Sequence, residues 1–103
     1  MARKWSIRIV ELADGSVAFQ PDVPGAQPSQ PLGVNKGDNV NWSNETNEAH
    51  WPVAIASPGF LTNNIPPGRV SRPTFGVEVS VVYRCLHHPQ EHGMIVVVTD
   101  LVS

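Results

Sequence analysis

The chain has 103 residues, a formal net charge of −2, and a single cysteine among ten prolines and eight glycines. This length suits one domain over residues 1–103, with a single hydrophobic core. The charged residues are interspersed, so no basic face indicates nucleic acid, and no apolar run approaches the roughly 20 residues that span a bilayer. One cysteine cannot form an internal disulfide, so the fold must depend on its core.

The N-terminal sequence MARKWSIRIVEL is positively charged but is not a signal peptide. It lacks the apolar segment of about 7–15 residues that such a peptide contains. Two locations are therefore consistent with the sequence. The protein is cytoplasmic, or it is periplasmic or extracellular and Met1 stands where an export signal has been removed.

Alternating apolar residues predict a hairpin in the first part of the chain. Apolar side chains alternate with polar ones over residues 5–9, and Val17 and Phe19 then alternate with the smaller or polar residues Ser16, Ala18 and Gln20, as in strands with one buried face. Asp14-Gly15 lies between the two segments and is a strong turn signal. Residues 21–31 contain four prolines and are expected to form a loop outside any sheet.

Short strands separated by turns are predicted for the rest of the chain. A turn at residues 35–38 precedes a strand over residues 39–44. A strand over residues 50–55 contains Pro52, which lacks a backbone donor and so indicates an edge position or a bulge. Further strands are predicted over residues 70–75, 77–85 and 94–101. About seven or eight short strands without helical periodicity predict an all-β sandwich.

One stretch, residues 83–98 with the sequence YRCLHHPQEHGMIVVV, combines the only cysteine with three of the four histidines. Cys85 is followed by His88 and His92 after three and seven positions, and His50 lies in a separate strand-like segment. A thiolate and imidazoles are donors that suit copper. A His₂Cys set with a weak fourth ligand is typical of a mononuclear electron-transfer copper centre. The sequence therefore predicts a copper site at the junction of two strands.

Several short motifs occur in a fixed order along the chain. They are Lys36-Gly37-Asp38, Val40-Asn41-Trp42-Ser43-Asn44, His50, Pro67-Gly68, Phe75, the stretch Tyr83-Arg84-Cys85-Leu86-His87-His88-Pro89, and a final Ile/Val strand. Over residues 32–99 the chain resembles the cupredoxins, the small type 1 blue-copper proteins, and in particular their amicyanin-like and plastocyanin-like members. The combination of these motifs with Cys-x-x-His-Pro is the most specific part of the resemblance.

The resemblance implies a Greek-key β-sandwich with one copper ion per chain, cycling between Cu(I) and Cu(II). Matched residue by residue, the metal ligands are His50, Cys85 and His88. It also implies a monomer without a membrane span, which docks transiently with redox proteins near His88. His87 is expected to face solvent, and the N–H of Trp51 is the expected donor to the Cys85 sulfur.

The fourth, axial ligand is where the chain departs from the methionine of many relatives. When Gly93 is aligned with the glycine that opens the last strand, the axial position falls on Glu91. Met94 is the alternative, reached through a longer loop, and His92 is a third candidate. Strand register favours Glu91, because the register that suits Met94 turns Asp100 inward at an energetic cost. A carboxylate is a harder ligand than a thioether and is expected to lower the reduction potential.

Several functions are compatible with such a site. The leading one is a one-electron carrier without substrate chemistry, which is not an enzyme. A copper chaperone, storage protein or sensor is the first alternative, because residues 88–94, HPQEHGM, add a further histidine to the loop. An open-site copper enzyme, with Glu91 or His92 as its acid–base group, is the second. A sandwich module without metal is the third.

Overall fold

A computed structural model of the chain describes residues 3–54, 63–71 and 77–98. Within these ranges the chain forms seven strands. They are β1 (Lys4–Glu11), β2 (Val17–Pro21), β3 (Leu32–Asn35), β4 (Asn39–Asn44), β5 (Pro52–Ala54), β6 (Val81–Cys85) and β7 (His92–Val98). A search of the same residues finds no helix that is long and apolar enough to cross a membrane.

The first sheet has three strands in the order β2-β1-β4. β1 and β2 form the predicted antiparallel hairpin around Asp14-Gly15, and β1 also pairs with β4 in parallel. The hairpin turn is closed by hydrogen bonds from Leu12 N to Ser16 O (2.8 Å) and from Gly15 N to Leu12 O (2.9 Å). The prediction of a hairpin at this Asp-Gly pair is therefore confirmed.

The second sheet has four strands in the order β3-β7-β6-β5. β6 runs antiparallel to both β5 and β7, whereas β3 runs parallel to β7. Pro52 opens β5 at the edge of this sheet, as predicted for a residue that has no N–H to donate. β6 ends at Cys85, so the cysteine lies at one end of the sandwich.

One hydrophobic core lies between the two sheets. Its buried residues are Ile7, Ile9, Phe19, Leu32, Val34, Val40, Trp42, Ile65, Tyr83, Cys85 and Ile95. The ring of Tyr83, in the second sheet, meets Phe19 and Trp42 of the first sheet edge-to-face, with centroid separations of 4.9 and 5.2 Å. This geometry adds an electrostatic attraction between aromatic rings to the burial of their surface. The predicted all-β sandwich is confirmed.

Some strand boundaries differ from the sequence expectation. β3 is not among the predicted strands, because only Leu32 and Val34 alternate in it and its partner is the distant β7. His50, predicted to open a strand, makes an isolated bridge with Ile65 instead, and β5 begins two residues later. Parts of three predicted strands, at residues 55, 72–75 and 99–101, lie outside the described residues.

Asp38 joins the two sheets at the end of the sandwich where β1 begins and β3 ends. Its buried carboxylate accepts hydrogen bonds from Arg3 N (2.9 Å), Trp5 Nε1 (2.9 Å) and Asn35 N (3.0 Å). Asp38 N donates in turn to Asn35 O (3.0 Å), which closes the turn predicted at residues 35–38. Trp5 belongs to the first sheet and Asn35 to the second, so a single side chain is bonded to both.

Candidate metal centre

The loop between β6 and β7 folds back onto Cys85. The N–H of Cys85, the last residue of β6, donates to the carbonyl of Glu91 (3.0 Å). His88 N donates to Cys85 O (3.2 Å), and Glu91 N donates to His88 O (2.9 Å). These bonds curl residues 85–91 into a compact turn, and three chemically reactive side chains come from this one turn.

His50 approaches the same place from the segment before β5. Its N–H donates to Ile65 O (3.1 Å) and its carbonyl accepts from Ile65 N (2.8 Å), so its backbone is held on both sides. Pro52, two residues later, lies opposite Cys85 in the β5–β6 ladder. The imidazole is fully buried at the end of β6.

Four donor atoms converge at this end of the sandwich. Sγ of Cys85 lies 3.6 Å from Nδ1 of His50 and 3.6 Å from Nδ1 of His88. Oε1 of Glu91 lies 3.1 Å from Nδ1 of His50 and 3.6 Å from Nδ1 of His88. All four ligand atoms lie within 4.8 Å of one another. The structure therefore brings together the four residues His50, Cys85, His88 and Glu91.

The separations between these atoms fit a single metal ion. Tetrahedral ligands at the usual bond lengths for sulfur, imidazole nitrogen and carboxylate oxygen are about 3.4–3.6 Å apart. The sulfur–nitrogen separations are 3.6 Å, and the oxygen–nitrogen separations are 3.1 and 3.6 Å. A four-coordinate ion therefore requires only small movements of the donor side chains.

A chain of hydrogen bonds behind His50 determines which ring nitrogen carries the proton. Nε2 of His50 is 3.0 Å from Oγ1 of Thr46, and that hydroxyl is 2.7 Å from Oδ1 of Asn44. The amide nitrogen of Asn44 donates to the carbonyls of Glu48 (2.7 Å) and Ile65 (2.9 Å), so its oxygen must face Thr46. The hydroxyl has two acceptors for its proton, Oδ1 of Asn44 and the carbonyl of Glu48 (3.0 Å), so we assign Thr46 as the acceptor of the Nε2 proton of His50. Nδ1 is left as a lone pair directed at the other donors.

His50 and Glu91 present unprotonated or unpartnered atoms to the centre of this group. Burial lowers the pKa of His50 below its ordinary value of 6.5, and His88 adds to the effect while Glu91 opposes it, so the ring is neutral at pH 7. Oε1 of Glu91 is buried and has no hydrogen-bond partner among the described residues. A bound cation would relieve the repulsion between these facing lone pairs, because each would then interact with positive charge.

Known proteins resemble this chain in fold more than in sequence. No protein-family model and no curated protein sequence matches the chain. The Cu(I) form of a Met-to-Ala variant of amicyanin matches 94% of this chain and 82% of its own, with a TM-score of 0.64 and 21% identity. A reduced Trp-to-Tyr variant of amicyanin matches 90% of this chain and 80% of its own, with a TM-score of 0.64 and 20% identity. The chain has a cupredoxin fold.

A third match, an oxidized Pro-to-Ala variant of amicyanin, covers 66% of this chain and 69% of its own, with a TM-score of 0.57 and 25% identity. These matches confirm the fold that the sequence resemblance implied. The four donors lie at the end of this cupredoxin fold where β6 ends and β7 begins.

In this cupredoxin fold the sulfur of Cys85 accepts a hydrogen bond from the N–H of Trp51 (3.4 Å). The prediction that Trp51 is the donor to this sulfur is confirmed. The carbonyl of Trp51 accepts a hydrogen bond from Leu86 N (2.8 Å). The N–H and the carbonyl of Trp51 are therefore both bonded to the segment Cys85-Leu86. The sulfur therefore has a fixed position before any metal is considered.

The alternative axial ligands lie outside the group. Met94 pairs with Val82 in the β6–β7 ladder, and the two side chains are 41% and 42% exposed on the outer face of the second sheet. His92, two residues earlier in β7, is also exposed and shares that face. Ile95 is fully buried. An inward-facing Ile95 corresponds to the strand register that the Glu91 alignment requires. Strand alternation therefore directs the side chains of both Met94 and His92 to the face opposite the one that carries Ile95.

His87 and His88, which are adjacent in the loop, are both accessible to solvent. His87 is exposed, as predicted, and its Nε2 lies 3.0 Å from Oδ1 of Asn64. His88 is the donor residue most open to solvent, with its side chain 30% exposed, compared with 1% for His50. Its outer nitrogen, Nε2, lies 3.7 Å from Oε1 of Glu48.

Sequence reasoning missed the residues that support His50. Thr46 is buried and Asn44 is fully buried, although both are polar. The signal that could have indicated them is the run Asn44-Glu45-Thr46, in which Asn44 Oδ1 accepts from Thr46 N (2.9 Å). Such Asx turns are a common use of asparagine in loops.

Proposed function

We propose that the chain binds one copper ion through Cys85, His50 and His88, with Glu91 as the fourth donor, and carries single electrons between redox proteins. The observation that carries this proposal is the convergence of four donor atoms, one each from His50, Cys85, His88 and Glu91, within 4.8 Å of one another. A thiolate with two imidazoles suits a mononuclear electron-transfer copper site. Solved structures of Cu(I) amicyanin variants share the fold, which supports the same metal here.

The protein's own contribution is to keep the donors in place. Bound copper would supply a one-electron couple between Cu(I) and Cu(II). His50 is held through Nε2 by Thr46, and the Cys85 sulfur is held by the N–H of Trp51. Donors that are fixed by neighbouring groups move little when the charge of the ion changes, and a small rearrangement favours fast electron transfer.

Electrons would enter and leave through His88. This imidazole is both a proposed ligand and the donor most exposed to solvent. Leu86, 44% exposed, and the exposed His87 flank it in the same loop. A small, partly apolar surface of this kind suits brief docking with redox proteins, because weak redox encounters have small interfaces.

Copper titration of the purified apoprotein tests the proposal. Adding Cu(II) to the reduced protein is expected to produce intense visible absorption from thiolate-to-copper charge transfer, saturating at one ion per chain. Cys85→Ser is expected to abolish this absorption, and voltammetry of the loaded protein should show a reversible one-electron wave. Absence of visible charge transfer, with the Cys85 thiol shown to be reduced, contradicts the proposal.

A copper-handling protein is a second candidate, favoured by a specific observation. A cavity of about 340 Å³ borders His50, His88 and Glu91, so three of the four donor residues line a route from solvent. A storage or delivery protein needs such a route because its metal must leave. Rapid transfer of Cu(I) to a chelator, together with an irreversible voltammetric wave, distinguishes this candidate from an electron carrier.

A further inference from the structure

The cavity beside the donor group has an acidic lining. It lies between the β1–β2 turn and the loops that carry His50 and His88. Glu11 and Glu48 line it together with Glu91, and no lysine or arginine among the described residues does so. Carboxylates without balancing cations raise the local concentration of positive ions and oppose the entry of anions.

The two outer carboxylates are open to water, and the inner one is not. Glu11 is exposed, and the side chain of Glu48 is 70% exposed, with Oε1 3.7 Å from Nε2 of His88. Glu91 is only 9% exposed, and its buried Oε1 has no hydrogen-bond partner among the described residues. The cavity therefore has exposed carboxylates at its mouth and an unpartnered carboxylate oxygen at its inner end.

A metal ion from solution has to reach two donors that are closed to solvent. His50 and Cys85 are fully buried, and Cys85 does not line the cavity. An ion that enters through the cavity meets His88, Glu91 and His50 before it reaches the sulfur. The lining is polar at each of these positions, so the ion can exchange water for protein ligands in steps.

We propose that this cavity is the entry site for a hydrated divalent metal cation, which Glu11 and Glu48 attract and His88 and Glu91 then receive. This inference rests on the proposed metal function of the four donors. It assigns a separate role to Glu11 and Glu48, which increase the rate of loading without becoming ligands. Their carboxylates act at a distance, through the field in the mouth of the cavity.

Metal-loading kinetics test the entry site. The apoprotein is mixed with aqueous Co(II) in a stopped-flow instrument without oxygen, and the thiolate-to-metal absorption is followed over time. For the double variant Glu11→Gln/Glu48→Gln we expect a loading rate lower on the order of tenfold at low ionic strength. The wild-type rate should fall with added salt more steeply than the variant rate, since salt screens exposed charges.

Glu78→Gln is the control for a general charge effect, because it removes one of the protein's carboxylates at another exposed site, compared with two in the double variant. Glu78 lies before β6, at the opposite end of that strand from Cys85, and its carboxylate faces Lys36 (3.9 Å). Its loading rate should equal that of the wild type. The final absorption spectrum of the double variant should also equal that of the wild type.

Three outcomes overturn the entry site. They are an unchanged rate in the double variant, an equal loss of rate in Glu78→Gln, and an altered final spectrum, which makes Glu11 or Glu48 a ligand. In each of these the wild-type protein still develops the thiolate absorption, so the metal site itself stands. A wild-type protein that never develops it contradicts the proposed function instead.

Discussion

Glu91 places a carboxylate oxygen within 3.1 Å of one imidazole nitrogen and 3.6 Å of another. A carboxylate is a harder and more anionic ligand than a neutral amide or a thioether, so it favours Cu(II) over Cu(I). We predict that Glu91→Gln raises the reduction potential of the bound copper. A tenfold change in the ratio of the two affinities corresponds to about 59 mV for a one-electron couple, and we expect a rise of at least this size.

Voltammetry of the two loaded proteins measures the effect of Glu91→Gln directly. Glu78→Gln removes the same charge at the opposite end of β6 and should leave the potential unchanged. A potential that does not move in Glu91→Gln would mean that the carboxylate is not a ligand. The site would then be a three-donor site of Cys85, His50 and His88.

Thr46 controls the orientation of His50 from outside the donor group. Its hydroxyl accepts the Nε2 proton at 3.0 Å, which leaves Nδ1 free as a lone pair. Removal of a hydrogen-bond partner of a ligating histidine typically lowers metal affinity by roughly 10- to 100-fold. We predict that Thr46→Val, which keeps the shape but not the hydroxyl, lowers Cu(II) affinity by about this factor.

Competition with a chelator measures the affinity of the Thr46 variants, and the visible spectrum reports the geometry. Thr46→Ser retains a hydroxyl and should restore both to near wild-type values. A purely structural role for Thr46 is supported if Thr46→Val loses stability but keeps the affinity and the spectrum.

The residues of the donor group differ in how readily they can be predicted from the sequence. Cys85 and His88 are three positions apart, so local spacing alone suggests that they are neighbours. The prediction of Glu91 depended on the register of the last strand, and the burial of Ile95 agrees with that register. The role of Thr46 could not be predicted from the sequence, because it depends on how a loop folds between Asn44 and His50. Local spacing indicates donors within one turn, but it does not indicate the partner that orients a ring from another loop.

At the scale of elements, the start of β7 is fixed by a close approach between two strands. Gly93 pairs with Tyr83 in the β6–β7 ladder, and a Cβ at Gly93 would overlap the Tyr83 ring. That ring is buried between Phe19 and Trp42 and has little space to move. We predict that Gly93→Ala destabilises the apoprotein by about 1–3 kcal/mol, the usual cost of overpacking a core.

Urea unfolding of the apoprotein measures the cost, and Gly33→Ala provides a matched control. Gly33 lies in β3, beside β7, and a Cβ there would meet Val98 Cγ2 at an ordinary 3.6 Å. Gly33→Ala should change the free energy of unfolding little. Equal effects at the two glycines would mean that conformational propensity, rather than the Tyr83 contact, determines the cost.

The elements themselves followed from the sequence to different degrees. The β1–β2 hairpin was predictable because Asp14-Gly15 and the two alternating segments are adjacent in the chain. β3 was not, because its four residues owe their conformation to pairing with β7, about sixty residues later by the Leu32–Ile95 register. Pro52 indicated an edge strand through its missing N–H, and this local rule held because it does not depend on the partner strand.

At the scale of the whole molecule, the two sheets are connected at both ends of the sandwich. The donor group lies at one end, and the carboxylate of Asp38 lies at the other, bonded to Arg3, Trp5 and Asn35. Burial alone raises the pKa of Asp38, but these hydrogen bonds and the charge of Arg3 outweigh it, so the pKa lies below its ordinary value of 3.8. The ionised form is therefore the one that stabilises the fold.

The sign of the pH dependence follows from this lowered pKa. The stabilisation by Asp38 is fully present above pH 3.8, the ordinary value, and is lost as the pH falls through the lower pKa of the folded state. In Asp38→Asn the new amide nitrogen faces donors at the position of one carboxylate oxygen, so hydrogen bonds are lost at every pH. We predict that Asp38→Asn costs about 1.5–3 kcal/mol at pH 7, the range for a hydrogen bond to a charged group.

Urea unfolding of the apoprotein between pH 7 and pH 3 distinguishes this role from a local effect. The difference in unfolding free energy between wild type and Asp38→Asn should be constant at neutral pH and should shrink below pH 4, because the wild type then loses its ionised carboxylate. Asp22→Asn removes an exposed carboxylate and should show no such difference. If the cost of Asp38→Asn persists undiminished in acid, the contribution of Asp38 comes from packing rather than charge. The sheets would then be joined at that end by the buried side chains alone.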